Sequence, residues 1–270
     1  MRRTDIIAAL VARGYKAEAK ETIKNGVVFE GIMIRDDDII APVIYTEQLI
    51  HDAEAKGKRL SDVVAEVIRV YEQSRRTEIS VADLMDPKNF LGTVFIGLQN
   101  DSEESLVKKP TEYSGIEAYM YVRGRRNYLM KVTPDYLEHI GVESEKAWKT
   151  AEHNTFLETN IKSLRAVMAD MCGVPEEEVP EAGNLFVVTN HCKMKGASAI
   201  LNKGMLREFA ERHHTSKLVV LPSSIHEMLI LPYDESIDMD VMSEMVREIN
   251  ATQVSPEERL TDQAYLIEVK

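Results

Sequence analysis

Asn25-Gly26 separates two runs of strand-forming residues, and few dipeptides mark a tight hairpin so strongly. The favoured two-residue turn needs left-handed backbone at both positions, which asparagine and glycine adopt at little cost. Before it, Ala17 to Lys24 reads as a strand. After it, Val28, Glu30, Ile32 and Ile34 alternate against Phe29, Gly31 and Met33. Ile39 to Tyr45 reads as a third strand after the turn Asp36-Asp37-Asp38, and Pro42 suggests an edge or a bulge. The segment is therefore predicted to be an antiparallel meander. Helices are placed to cover it. Ile6, Ile7, Leu10 and Val11 recur at helical spacing ahead of Gly14, Glu47 to Ala55 stops at Gly57, and Val63, Val64, Val67, Ile68 and Tyr71 form one stripe. A short helix from Ser80 to Leu84, a strand from Gly92 to Leu98 and a hairpin around Arg123-Gly124-Arg125-Arg126 complete an N-terminal α+β part, residues 1–132.

Residues 133–270 read as a second α+β part. Thr133-Pro134 opens a helix with proline at its first position, and helices follow at about Glu145–His153 and Ile161–Met171. Leu185–Thr189 is a short apolar run. Gly196–Arg212 is helical, with Ile200, Leu201, Met205, Leu206, Phe209 and Ala210 on one face and Gly204 as a weak point. Lys217–Leu221 is a second apolar run, and Ile225–Leu231 a third after the turn Pro222-Ser223-Ser224. Met239–Asn250 is an acidic amphipathic helix, and Ala264–Val269 a final strand. The span from Leu185 to Leu221 has the length of a βαβ crossover, which predicts two adjacent parallel strands. The fold class is thus α+β: an N-terminal antiparallel meander with covering helices, and a C-terminal mixed sheet with a βαβ unit and flanking helices. One core or two remains open at this stage.

Parallel neighbours would place their C-terminal ends at one sheet edge, where ligands tend to bind. That edge would join Asn190, His191 and Cys192 to Ser223, Ser224, His226 and Glu227. Cys192 or Ser224 with His226 could form a nucleophile and base. His191, Cys192 and His226 could hold a metal, since imidazole and thiolate suit zinc. The groups could also bind a ligand or partner without chemistry. Against all three, Pro-Ser-Ser is ordinary turn chemistry, and His226 can bond locally to backbone. No nucleophile elbow, HExxH or CxxC accompanies these residues.

The net charge of −12 argues against binding nucleic acid or an anionic membrane, both of which need a basic face. Two cysteines in 270 residues make no disulfide framework. Neither GxGxxG nor GxxxxGK occurs, so no nucleotide cofactor is expected. Asp36-Asp37-Asp38 lacks the glycine and distant glutamate of a calcium loop, so no metal is expected there. The first residues lead into an amphipathic helix rather than an apolar leader, and no run would span a bilayer, so the expected setting is cytoplasmic.

The segment Leu221-Pro222-Ser223-Ser224-Ile225-His226-Glu227-Met228-Leu229-Ile230-Leu231-Pro232 resembles a signature of the bacterial family called domain of unknown function 5688. So does Met245 to Glu258, followed by Leu260-Thr261-Asp262. Asn25-Gly26 with Phe29-Glu30-Gly31, Ala41 to Tyr45, and Val132 to Thr155 are similar to its N-terminal and middle parts. The resemblance implies an uncharacterised bacterial protein, sometimes in a mobile-element setting, with no assigned catalytic residues. Two functions are therefore carried. The first is a non-enzymatic protein that binds another protein. The second is a hydrolase-like or metal-dependent enzyme at the His191/Cys192 and Ser224/His226 edge.

Overall fold

The computed structural model describes residues 1–35, 43–75, 81–124, 129–181 and 183–269. The Asp36-Asp37-Asp38 turn, Pro42, Ser80, and Arg125 with Arg126 lie outside the described residues. The chain divides into two compact units, Met1–Leu84 and Met85–Lys270. The division expected after residue 132 falls within the second unit.

In the first unit, α1 (Arg3–Val11) precedes β1 (Lys16–Lys24), β2 (Val27–Arg35) and β3 (Val43–Tyr45). The strands form an antiparallel sheet in that order. Lys24 pairs with Val27 around Asn25-Gly26, whose φ values of 50° and 79° are the left-handed pair the turn requires. Ile32 and Ile34 of β2 are buried against Ile6 and Leu10 of α1. Ala53 of α2 (Glu47–Ala55) and Val63, Val64, Val67 and Tyr71 of α3 (Leu60–Arg75) close the same core. The meander and its covering helices stand as the sequence predicts. A short helix, α4 (Val81–Met85), carries the division between the units.

The second unit begins with α5 (Pro87–Thr93), capped by the Asp86 carboxylate, which accepts from the Lys88 N–H. A four-stranded antiparallel sheet follows: β4 (Val94–Asn100), β5 (Lys108–Pro110), β6 (Ile116–Arg123) and β7 (Leu129–Lys131). Next come α6 (Pro134–His139), capped by Thr133, and α7 (Ser144–Leu157). Then β8 (Thr159–Ser163), α8 (Leu164–Cys172) and β9 (Phe186–Asn190) lead to a 3-10 segment, Gly196–Leu201. The remaining elements are α9 (Lys203–Arg212), β10 (Lys217–Ser224), β11 (Glu227–Pro232), α10 (Met239–Gln253) and β12 (Tyr265–Glu268). The helix expected over Gly196–Arg212 is interrupted at Asn202, two residues before Gly204. The Asn202 side chain caps α9 by accepting from the Met205 N–H.

The C-terminal sheet runs β12-β10-β11-β9-β8, and every pairing in it is antiparallel. The expected mixed sheet with a βαβ unit is therefore corrected. β9 and β10 do run the same way, but β11 lies between them. β11 returns from β10 through Ile225-His226 alone, so the β10–β11 hairpin closes with little loss of chain entropy. β11 thereby occupies the place beside β9 that the crossover predicted for β10. The reversal also sits two residues later than Pro222-Ser223-Ser224 suggested. Those residues continue β10, and the register shifts between Pro222 and Ser224, leaving Ser223 at a bulge.

Both sheets of this unit contribute to one core. Val94, Ile96, Leu98, Ala118, Met120 and Val122 join Val188, Leu218, Val220, Met228 and Ile230 around Trp148 of α7 and Phe209 of α9. The other face of the C-terminal sheet, with Val219 and Leu221, is covered by Val246 and Met242 of α10. Among the described residues, no helix is long and apolar enough to cross a membrane.

Candidate functional site

The edge named from sequence rested on β9 and β10 lying side by side, and the sheet instead places β11 between them. Because Ile225-His226 is the turn between β10 and β11, it emerges beside the end of β9. The Thr189 hydroxyl donates to the His226 carbonyl at 2.8 Å, and the Ala197 N–H donates to the Ile225 carbonyl at 3.3 Å. Gly196 makes the approach possible. A Cβ there would lie 2.4 Å from Thr189 Oγ1, 2.6 Å from the His226 carbonyl oxygen and 2.8 Å from the Asn190 nitrogen.

The polar groups at this edge are engaged with the fold. Asn190 is buried, and its amide donates to the Met194 carbonyl at 2.8 Å while its oxygen accepts from the Met194 N–H at 3.2 Å. It closes a loop in which Lys193 and Lys195 take left-handed φ values of 54° and 53°. The His226 Nδ1 accepts from the Lys195 N–H at 3.2 Å, which places the ring proton on Nε2, 3.3 Å from the Glu258 carboxylate. The Ser224 hydroxyl accepts from the His226 backbone N–H at 3.1 Å, a local Ser-turn bond. Ser223 is half-buried at the bulge, and Glu227 begins β11 opposite Ser224. His191 is exposed, with Nδ1 3.4 Å from the Asn160 amide.

Cys192 is exposed and faces Arg123 rather than a histidine. Its sulfur accepts from Arg123 Nη1 at 3.0 Å and lies 3.4 Å from Asn190 Oδ1. Arg123 also forms a two-pronged pair with Glu158 and lies 4.0 Å over the Phe95 ring. Hydrogen bonding to Glu158 holds the Arg123 guanidinium charged, its pKa raised above the ordinary arginine value. The structure thus brings Thr189 and Asn190 close to the His226 turn, and among the described residues pairs neither Cys192 nor Ser224 with an imidazole. Among the described residues, no three His, Cys, Asp or Glu side chains gather as a metal would require.

A second surface was only half visible in the sequence. α10 buries Val246 and Asn250 and partly buries Met242 against the sheet. Val241, Met245 and Ile249, each four residues apart, form another apolar row that is 54%, 37% and 43% exposed. One position before each stand Asp240, Glu244 and Glu248, all exposed, forming an acidic row parallel to the apolar one. Leu266 of β12, 43% exposed and in register with Val219, faces the same side of the sheet. The signal was present in the sequence: two apolar rows in one helix exceed what a single buried face needs.

Residues 3–268 match the family of unknown function DUF5688. No curated protein and no solved structure matches the chain.

Proposed function

The chain belongs to the family of unknown function DUF5688, and from its own surface we propose that it is a non-enzymatic binding protein whose α10 face receives a basic amphipathic helix of another protein. The observation that carries this reading is the paired rows on α10. Three exposed apolar side chains on one face match the i, i+4, i+8 pattern of helix-on-helix recognition. The carboxylates of Asp240, Glu244 and Glu248 beside them call for lysine or arginine on the partner. A net charge of −12 repels a second acidic copy and attracts a basic partner. The edge bonds support the same reading. The candidate nucleophiles Cys192 and Ser224 bond to Arg123 and to backbone, and His226 bonds to Lys195 and Glu258.

The test is fluorescence anisotropy with a labelled helical peptide carrying leucines at i, i+4, i+8 and a flanking row of lysines. Saturable binding that weakens with added salt, and at least tenfold in Met245→Lys, supports the proposal. Equal binding of a glutamate-for-lysine peptide overturns it, as does full retention in Met245→Lys. Light scattering covers the remaining case: self-association abolished by Met245→Lys assigns the face to a second copy and defeats the partner reading.

A further inference from the structure

A separate feature of the second unit carries an inference that does not rest on the α10 reading. An open cleft of about 610 Å³ lies between the end of β5, one face of α7 and the start of α9. Its volume falls within the range of small-molecule sites. The apolar part comes from Ile96, Phe156 and Leu201. At one side stands Trp148, only 5% exposed, with Lys109 Nζ 4.6 Å from its ring centroid. A buried indole normally gives its N–H to an acceptor. Among the described residues nothing accepts from the Trp148 N–H, that atom is not fully buried, and the residue lines the cleft.

The start of α9 supplies further donors to the same cleft. Lys203 and Gly204 are its first residues, and their N–H groups have no intrahelical partner. Asn202 satisfies only the next one, the Met205 N–H. With no Cβ, Gly204 leaves that helix end uncovered, and Lys109 and Lys203 line the same cleft. On the acidic side, Glu112 pairs with Lys203 at 3.4 Å, while Glu152 is half-buried with no ion-pair partner among the described residues. Donors therefore outnumber free acceptors, and Glu152 penalises a doubly charged anion more than a singly charged one.

We infer that the cleft binds a small apolar carboxylate: its carboxylate accepts from the Trp148 N–H and the α9 amides, and its body lies on Phe156 and Leu201. Trp148 is the chain's single tryptophan, so its fluorescence reports this cleft. The full chain is titrated with 3-phenylpropionate, benzyl alcohol and phenyl phosphate, following Trp148 emission and, in parallel, heat by calorimetry. The expected result is saturable binding of 3-phenylpropionate, at least tenfold weaker for benzyl alcohol. The Lys109→Ala/Lys203→Ala double variant should weaken it at least tenfold while keeping its melting temperature. Phenyl phosphate should bind more weakly than the carboxylate and gain in Glu152→Gln. Absence of saturable signal and heat with 3-phenylpropionate overturns the inference. So does benzyl alcohol binding equally well, phenyl phosphate binding more tightly, or undiminished affinity in the double variant. Peptide binding on α10 is unaffected by any of these outcomes, so the two readings fail separately.

Discussion

Replacing Gly196 with alanine tests how tightly the 3-10 segment is seated on the β9 end and the β10–β11 turn. The new Cβ would meet Thr189 Oγ1 at 2.4 Å, the His226 carbonyl oxygen at 2.6 Å and the Asn190 nitrogen at 2.8 Å. Ordinary contact is roughly 3.5 Å, so the neighbours must retreat by about 1 Å. Two of the three atoms are backbone, one in β9 and one in the β10–β11 turn, and cannot rotate away. Overpacking of this kind costs about 1–3 kcal/mol. Displacing the His226 carbonyl also breaks its bond from Thr189, leaving partly buried groups without partners at about 1–3 kcal/mol more. The expected loss is about 2–6 kcal/mol. For a unit of 186 residues, 85 to 270, it lowers the melting temperature by roughly 2–4 °C per kcal/mol. Gly204→Ala is the matched control. Its Cβ meets only Asn202 Oδ1 at 3.5 Å, and alanine in a helix gains up to about 1 kcal/mol over glycine. Urea unfolding followed by Trp148 fluorescence reads both. A Gly196→Ala loss below about 1 kcal/mol would refute the close seating of this turn.

Two further outcomes follow from single bonds. The buried Ile96 N–H donates to Thr155 Oγ1 at 2.8 Å, so Thr155→Val strands an edge-strand amide and should cost about 1–3 kcal/mol in the same unfolding assay, against nearly none for the half-exposed Thr150→Val. Burial alone would raise the pKa of Glu117, but bonds from Gln99, Ser102 and Lys108 outweigh it and leave the carboxyl below its ordinary 4.5. Its contribution is therefore complete above pH 4.5 and lost as pH falls through the lower folded value. Stability of the wild type should fall more steeply with acid below pH 4.5 than that of Glu117→Gln, and parallel curves would contradict that role.

What was legible in the sequence was local. Asn25-Gly26 and the stripe from Val63 to Tyr71 each specify their element within a few residues, so the meander and its helices were predicted in place. The C-terminal strand order was not legible, because neighbours in a sheet are chosen by pairing across the chain. Leu185–Thr189 and Lys217–Leu221 have the spacing of adjacent parallel strands whether or not a hairpin partner enters between them. The helix expected from Ile161 begins only after its Ser163 cap, and Ile161–Ser163 instead end the strand Thr159–Ser163. The Asn190–His226 edge was expected from adjacent parallel strands, and that premise fails because β11 lies between β9 and β10. That its polar groups turn inward to Met194, Lys195 and Glu258 depends on bonds to loops whose position the sequence does not encode locally. Trp148 read as core, and most of it is; that it also lines a cleft depends on where α9 begins.

The most direct measurement is methyl NMR of the full chain labelled at methionine, with the basic amphipathic peptide added stepwise. Met245 lies in the exposed row of α10, and Met242, one turn away, packs toward the sheet as an internal reference. Binding at the proposed face predicts a saturable shift of the Met245 resonance that is larger than that of Met242 and disappears in high salt. An unmoved Met245 resonance while the peptide demonstrably binds would contradict it.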